Sequence, residues 1–72
     1  MNPTKLIKMA NQIGAFFEAM PDREQAARDV ASHIQKSWEP RMRNGFLSHI
    51  DLEGDAVLKP VVRDALRFLR DA

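Results

Sequence analysis

The sequence predicts an all-α fold, a small bundle of about four short helices in a single domain spanning residues 1–72. Apolar residues recur at steps of three and four, as on one face of a helix, and nowhere alternate with the period of two that strands show. Prolines at positions 3, 21, 40 and 60 divide the chain into helix-length segments. The 44% hydrophobic content is ordinary for a globular chain.

The first segment predicts a helix from Pro3, capped by Asn2, to a stop at Pro21. Its apolar stripe consists of Leu6, Ala10, Ile13, Phe17 and Met20. Met9 and Phe16 widen this stripe on one side, and Ile7 and Gly14 widen it on the other. The apolar arc is then roughly half the circumference, wider than the ~100° of a one-sided surface helix. We expect such a helix to lie centrally or to contact a second protein.

The second segment predicts a helix between Pro21 and Pro40, with Asp22 as its N-cap. Gln25, three residues later, completes a capping-box pattern. The apolar stripe is narrow and made mostly of small residues that let another helix approach closely: Ala27, Val30, Ala31, Ile34 and Trp38.

The third segment predicts a shorter helix with Pro40 at its first position. Met42, Phe46, Leu47 and Ile50 share one side. Gly45 weakens this helix by up to about 1 kcal/mol relative to alanine, so a turn at residues 43–46 is an alternative. Gly54 is expected to end the helix.

The last segment predicts a helix that begins at Pro60 and carries a broad apolar arc formed by Val61, Val62, Ala65, Leu66, Phe68 and Leu69. Lys59, Arg63, Arg67 and Arg70 follow at steps of four, four and three, which makes a basic stripe beside that arc. The stripe favours either a solvated face with Arg–Asp pairs or contact with phosphates. The wide arcs of the first and last helices are either simply core or, because they exceed what four short helices easily hide from water, part of a protein-facing patch.

Composition and spacing exclude several functional classes. There is no cysteine, and the net charge of +1 is low for a dedicated nucleic-acid binder and gives no strong attraction to anionic membranes. His33 and His49 are too far apart for a helical metal site, and no serine has the context of an activated nucleophile. We therefore expect no catalytic, cofactor-binding or metal-binding residue, no enzymatic activity, and, without an export signal, a cytoplasmic location.

The segment "WEPRMR", residues 38–43, predicts a corner between two helices. At 100° per residue, Arg43 projects into the apolar side of the third helix whereas Arg41 points away from it. Arg43 could lie over Trp38 or pair with Glu39, or it could project past the apolar rim to a partner protein. Trp and Arg are frequent interface anchors. Because Arg41 and Arg43 project in different directions, we expect the two arginines to have different roles.

Three stretches, in order, resemble the delta subunit family of soluble NAD-dependent formate dehydrogenases. They are "KLIKMANQIGAFFEAMP" at residues 5–21, "ASHIQKSWEPRMR" at 31–43 and "LKPVVRDAL" at 58–66. The resemblance implies a small, cofactor-free, non-catalytic subunit of a cytoplasmic complex. It implies that other subunits hold the bis-molybdopterin guanine dinucleotide (bis-MGD) molybdenum centre, the iron–sulfur clusters and the FMN that reduces NAD. It also implies that this subunit supports assembly or stability of the enzyme.

The expected function is therefore binding to the large molybdenum-bearing subunit, which supports its assembly, cofactor retention or stability. The residues expected at the partner surface are Phe16, Trp38, Glu39, Pro40, Arg41, Met42, Arg43 and Arg63. The alternative is a small helix-turn-helix-like nucleic-acid-binding protein, which would use the basic stripe of the last helix.

Overall fold

Four helices joined by short turns make up the computed structural model, which describes residues 2–70. They are α1 (Pro3–Phe17), α2 (Arg23–Ser37), α3 (Pro40–Glu53) and α4 (Pro60–Arg70). The described part of the chain contains no strand. The prediction of an all-α fold with four helices is confirmed, and α3 runs without interruption through Gly45 instead of turning there. None of these helices is long and apolar enough to cross a membrane.

The helix starts follow local side-chain chemistry. The Asn2 side chain accepts a hydrogen bond from the Thr4 backbone N–H (2.8 Å), and the Asp22 side chain accepts one from the Gln25 N–H (3.0 Å). Both predicted N-caps are therefore confirmed. The reciprocal half of the capping box is absent, because the Gln25 amide donates to Asp29 (2.9 Å) one turn further along α2.

Helix α1 ends at Phe17, earlier than the predicted stop at Pro21. A proline at position 21 has no N–H to donate to the Phe17 carbonyl, and it disfavours helical geometry at Met20. The Met20 N–H instead donates to the Phe17 carbonyl in a tight turn (3.1 Å). Pro21 therefore ends the helix at Phe17, four residues before its own position. Gly54 ends α3 as predicted, with a φ of 92° that favours glycine.

The core draws on all four helices, and α2 and α4 share the most extensive contact. The small residues Ala27 and Ala31 are buried on the α2 side, and Val62 and Leu66 are buried on the α4 side. Gly14 does not lie at the edge of the α1 stripe, as the sequence suggests, but at the contact with α4. A Cβ there would lie 2.6 Å from Val62 Cγ2, so glycine is what lets these two helices approach.

The apolar arc of α4 is almost wholly buried. Val61, Val62, Ala65, Leu66 and Leu69 are core residues, and Phe68 is half-buried. The expectation that α4 leaves spare apolar surface is therefore wrong. The large apolar side chains that are exposed lie elsewhere: Phe16 of α1 (78%), Leu52 of α3 (81%) and Val57 of the following loop (59%).

Asn11 fixes the connection between α3 and α4 onto α1. Its side-chain amide donates to the Val57 carbonyl (3.0 Å), and its side-chain oxygen accepts from the Lys59 backbone N–H (2.9 Å). One side chain thus satisfies an acceptor in the loop and a donor at the start of α4. Since the two bonds join residues far apart in the sequence, they set the position of α4 against α1.

Candidate functional site

An open groove of about 500 Å³ lies between α1 and the corner that joins α2 to α3. Its surface is predominantly apolar, and its lining residues are Met9, Gln12, Ile13, Phe16, Phe17, His33, Ser37, Trp38 and Met42. A concave apolar surface with a few polar groups is the usual form of a binding site on a small protein.

Trp38 lies at the bottom of this groove. Its side chain is only 5% exposed, and its ring stands at 90° to the ring of Phe46 with 5.5 Å between centroids, an edge-to-face contact. Trp38 and Glu39 are both extended, and α3 begins at Pro40. The predicted corner is confirmed. Because Trp38 closes α2 and also contacts α3, it contributes to both the core and the groove surface.

The wall formed by α1 consists of Met9, Ile13 and Phe16. Phe16 meets Phe17 edge to face (5.0 Å, 87°), and Phe17 in turn packs against His33 of α2 (6.2 Å, 62°). These contacts fix Phe17 against α2, while most of the Phe16 ring remains exposed to solvent.

The structure brings together three of the residues expected at the partner surface. Phe16, Trp38 and Met42 line one groove although they come from α1, the end of α2 and the start of α3. Glu39 and Pro40 are exposed at the adjoining corner. Arg41, Arg43 and Arg63 do not line the groove. The roles of all eight residues at a partner surface stay predictions.

The two arginines of the corner are not equivalent in burial, since Arg41 is exposed and Arg43 is half-buried. Arg43 makes neither of the two internal contacts considered for it: within residues 2–70, its guanidinium pairs with no carboxylate and stacks on no ring. The arginines that do stack are Arg28 and Arg67, which lie over Phe68 at 4.6 Å. Of the alternatives considered for Arg43, projection past the apolar rim is the one that these contacts leave open.

Arg63 lies apart from the groove. It lines a polar surface cleft between α2 and α4 that shares no residue with the groove. Within the described part of the chain no carboxylate pairs with it. If Arg63 contacts a partner, it does so through a second surface.

The other three cations of the α4 basic stripe form ion pairs with carboxylates that lie on other helices or directly after them. Lys59 pairs with Glu18 (3.4 Å), Arg67 with Glu24 (2.8 Å) and Arg70 with Asp51. A further ion pair joins Arg23 of α2 to Asp64 of α4 (2.7 Å). The interpretation as a solvated face with ion pairs is confirmed, and the positive charge offered to a phosphate backbone is correspondingly reduced.

Sequence reasoning missed several groove residues. His33 and Ser37, one turn apart on α2, both line the groove. Met9 and Ile13 belong to the wide apolar arc of α1, so the width of that arc was the available signal. Within residues 2–70, no group of three or more His, Asp or Glu side chains could hold a metal ion, and every buried side-chain polar atom has a hydrogen-bond partner.

Comparison with known protein families gives a match. Residues 5–66, most of the chain, match the family model described as NADH-dependent formate dehydrogenase delta subunit FdsD. No curated protein and no solved structure matches the chain.

Proposed function

The chain belongs to the FdsD family of NADH-dependent formate dehydrogenase delta subunits, and from this premise we propose that it is a non-catalytic subunit that binds the large, molybdenum-bearing subunit. Binding supports assembly of that subunit, retention of its cofactor or its stability. The complex is cytoplasmic in this proposal.

The observation that carries the proposal is the apolar groove with Phe16 on its rim. An aromatic side chain that is 78% exposed beside a concave apolar surface gains free energy when a partner covers it, at roughly 25 cal/mol per Å² of apolar area. Trp38, held by Phe46, gives this surface a rigid floor. A rigid apolar floor with an exposed aromatic rim is typical of the centre of a protein interface.

The size of the chain fits a docking role. A standard interface covers about 800 Å² on each partner, which is about a sixth of the 4609 Å² accessible surface of the described residues. A subunit that binds one conformation of the large subunit more tightly than another shifts the population toward it by that difference in affinity. Stabilisation of a cofactor-retaining conformation needs no chemistry from this chain.

The cofactors of the complex are assigned to other subunits. The chain has no cysteine and so no thiolate to ligate an iron–sulfur cluster. The groove is lined mainly by apolar side chains, and none of its lining residues is a lysine or an arginine. In this proposal bis-MGD molybdenum, FMN and the NAD site therefore belong to the partners of this chain.

The test is co-expression of the tagged chain with the formate dehydrogenase subunits of its own host. We expect the large subunit to co-purify with the chain, and the molybdenum and pterin content of the large subunit to fall when the chain is omitted. Phe16→Asp is expected to abolish co-purification. Leu52→Asp is the matched control, because Leu52 is 81% exposed but lies about 15 Å further along α3 from Met42. Failure of the wild-type chain to retain the large subunit would refute the proposal.

No observation favours the nucleic-acid-binding alternative. It depends on the basic stripe of α4, and three of the four cations in that stripe are paired with carboxylates.

A further inference from the structure

We propose that the groove binds an amphipathic helix of the large subunit whose apolar face is bordered by acidic residues. This inference rests on the proposed function and specifies which element of the partner is recognised. Three features of the groove support this inference. They are its length, the scarcity of free backbone hydrogen-bonding groups in its walls, and the charges around it.

The α1 wall has the length and spacing of a helix-binding surface. Met9, Ile13 and Phe16 follow one another at steps of four and three, so they form a ridge about 10 Å long at 1.5 Å per residue. A helix that lies in such a groove contacts it with apolar side chains at positions i, i+3 or i+4, and i+7. The groove therefore accommodates about two turns of a partner helix.

An extended peptide would fit this groove less well. Every wall is made of helices and the corner between them, whose backbone N–H and C=O groups are largely used in their own hydrogen bonds. The side-chain hydrogen-bonding groups in the lining come only from Gln12, His33 and Ser37. The backbone groups of an extended segment that face this lining would go unpaired, at a cost in free energy, whereas a helix satisfies its own backbone.

The groove is bordered by cations that have no carboxylate partner within residues 2–70. Lys5 and Lys8 line a shallow depression that shares Met9 and Gln12 with the groove. Lys36 lines another that shares Phe17 and His33 with it. Arg41, also unpaired, is exposed next to the groove residue Met42.

Within residues 2–70, two carboxylates without a cationic partner lie near the same border, and a third, Glu18, follows the groove residue Phe17 and is paired with Lys59 (3.4 Å). Asp29 is engaged by the Gln25 amide (2.9 Å), and Glu39 is exposed at the corner. The four unpaired cations outnumber these two acidic groups, so the border is net positive. The α4 face differs, because most of its cations are neutralised by ion pairs.

This charge distribution favours binding of an acidic helix over binding of a second copy of the chain. A symmetric dimer formed through the groove would place the same cationic border on both sides of the interface, and like charges brought together cost free energy. A helix with Asp or Glu beside its apolar face meets the border with opposite charge instead.

The first part of the experiment identifies the bound segment. The chain has no cysteine, so Phe16→Cys gives a unique site for a benzophenone cross-linker, and Leu52→Cys is the control with similar exposure. In the co-expressed complex, we expect cross-linking from position 16 to a helical segment of the large subunit with apolar residues at i, i+3 or i+4, and i+7 and flanking Asp or Glu. A cross-linked segment without that pattern, a cross-link to a second copy of the chain, or equal cross-linking from position 52 would overturn the inference.

The second part tests the charges. The triple variant Lys5→Glu, Lys36→Glu, Arg41→Glu is expected to slow association with the large subunit at least tenfold at low salt, with a smaller difference at high salt. Arg67→Glu, which reverses an exposed cation on the α4 face away from the groove, is expected to associate like the parent. Parent-like association of the triple variant, or an equal loss in Arg67→Glu, would overturn the inference. If one of these outcomes overturns the inference but a complex with the large subunit still forms, the proposed function stands. A chain that never binds the large subunit refutes both the proposed function and this inference.

Discussion

The ring of Trp38 stands perpendicular to the ring of Phe46, with 5.5 Å between their centroids, and this contact joins the end of α2 to the middle of α3. Phe46 is fully buried and Trp38 is 5% exposed. The same tryptophan forms the bottom of the groove. Folding and the shape of the binding surface therefore depend on one side chain.

Trp38→Ala is expected to destabilise the fold by about 3–5 kcal/mol, because it deletes a buried aromatic side chain and leaves a cavity. Total stabilities of small domains are only about 5–15 kcal/mol, so this variant should lose a large share of its stability. Trp38→Phe keeps an aromatic ring and should retain the fold. Urea denaturation followed by circular dichroism measures both changes. A Trp38→Ala variant as stable as the parent would contradict the structural role given to this residue.

Gly14→Ala is expected to destabilise the chain by about 1 kcal/mol. Alanine gains up to about 1 kcal/mol in helix propensity, but its Cβ would lie 2.6 Å from Val62 Cγ2 and 3.1 Å from Val61 Cγ1, and such overpacking costs about 1–3 kcal/mol.

Gly45→Ala is the matched control for that substitution. Nothing lies within 4 Å of a Cβ at position 45, so the gain in propensity should stabilise the chain by about 0.5–1 kcal/mol. Thermal unfolding of the two variants should therefore shift the midpoint in opposite directions. Shifts of the same sign would show that α1 and α4 do not approach each other as described.

Asn11→Ala is expected to loosen the α3–α4 connection, because it removes the hydrogen bonds to the Val57 carbonyl and the Lys59 N–H. We expect a loss of about 1–2 kcal/mol in the free energy of unfolding. Amide hydrogen exchange should accelerate most at Lys59, whose N–H loses its acceptor. Gln12→Ala is the control on the same helix, since Gln12 is exposed and makes no such bonds. Unchanged exchange at Lys59 in Asn11→Ala would argue against this role for Asn11.

Arg67→Gln is expected to cost less than about 1 kcal/mol in stability, because its pair with Glu24 is exposed. The wild-type chain should elute from heparin at low salt, and Arg67→Gln should hardly change its elution. Strong retention on heparin that depends on Arg63, Arg67 and Arg70 would instead revive the nucleic-acid-binding alternative.

The parts of the fold that sequence reasoning predicted correctly are those set by local chemistry. Asn2 and Asp22 cap helices through their own side chains, and Gly54 ends one through its backbone conformation. Helix α1 ends early because Pro21 has no N–H to donate to the Phe17 carbonyl. This effect is also local, but it is harder to predict because it ends the helix four residues before the proline.

The burial of each apolar arc could not be predicted, because it depends on which helix packs where. The arcs of α1 and α4 look alike in the sequence, yet the α4 arc is core and Phe16 of α1 is exposed. Gly14 is identified as a contact point only when Val62 is seen opposite it.

Part of the candidate site could be predicted from the sequence. Phe16, Trp38 and Met42 were expected at a partner surface, and the structure places them in one groove. Sequence reasoning could not tell that Trp38 is a buried floor rather than an exposed anchor, or that Arg63 lies in a separate cleft. Both facts depend on long-range packing.

The most direct test of the central claim, that this groove is the docking surface, is oxidative side-chain footprinting of the free chain and of its complex with the large subunit. Met9, Phe16 and Met42 line the groove, whereas Leu52 and Val57 are exposed elsewhere. The account predicts that the first three become protected on complex formation while the last two keep their reactivity. Unchanged oxidation at Met9, Phe16 and Met42 in a complex that has formed would contradict it.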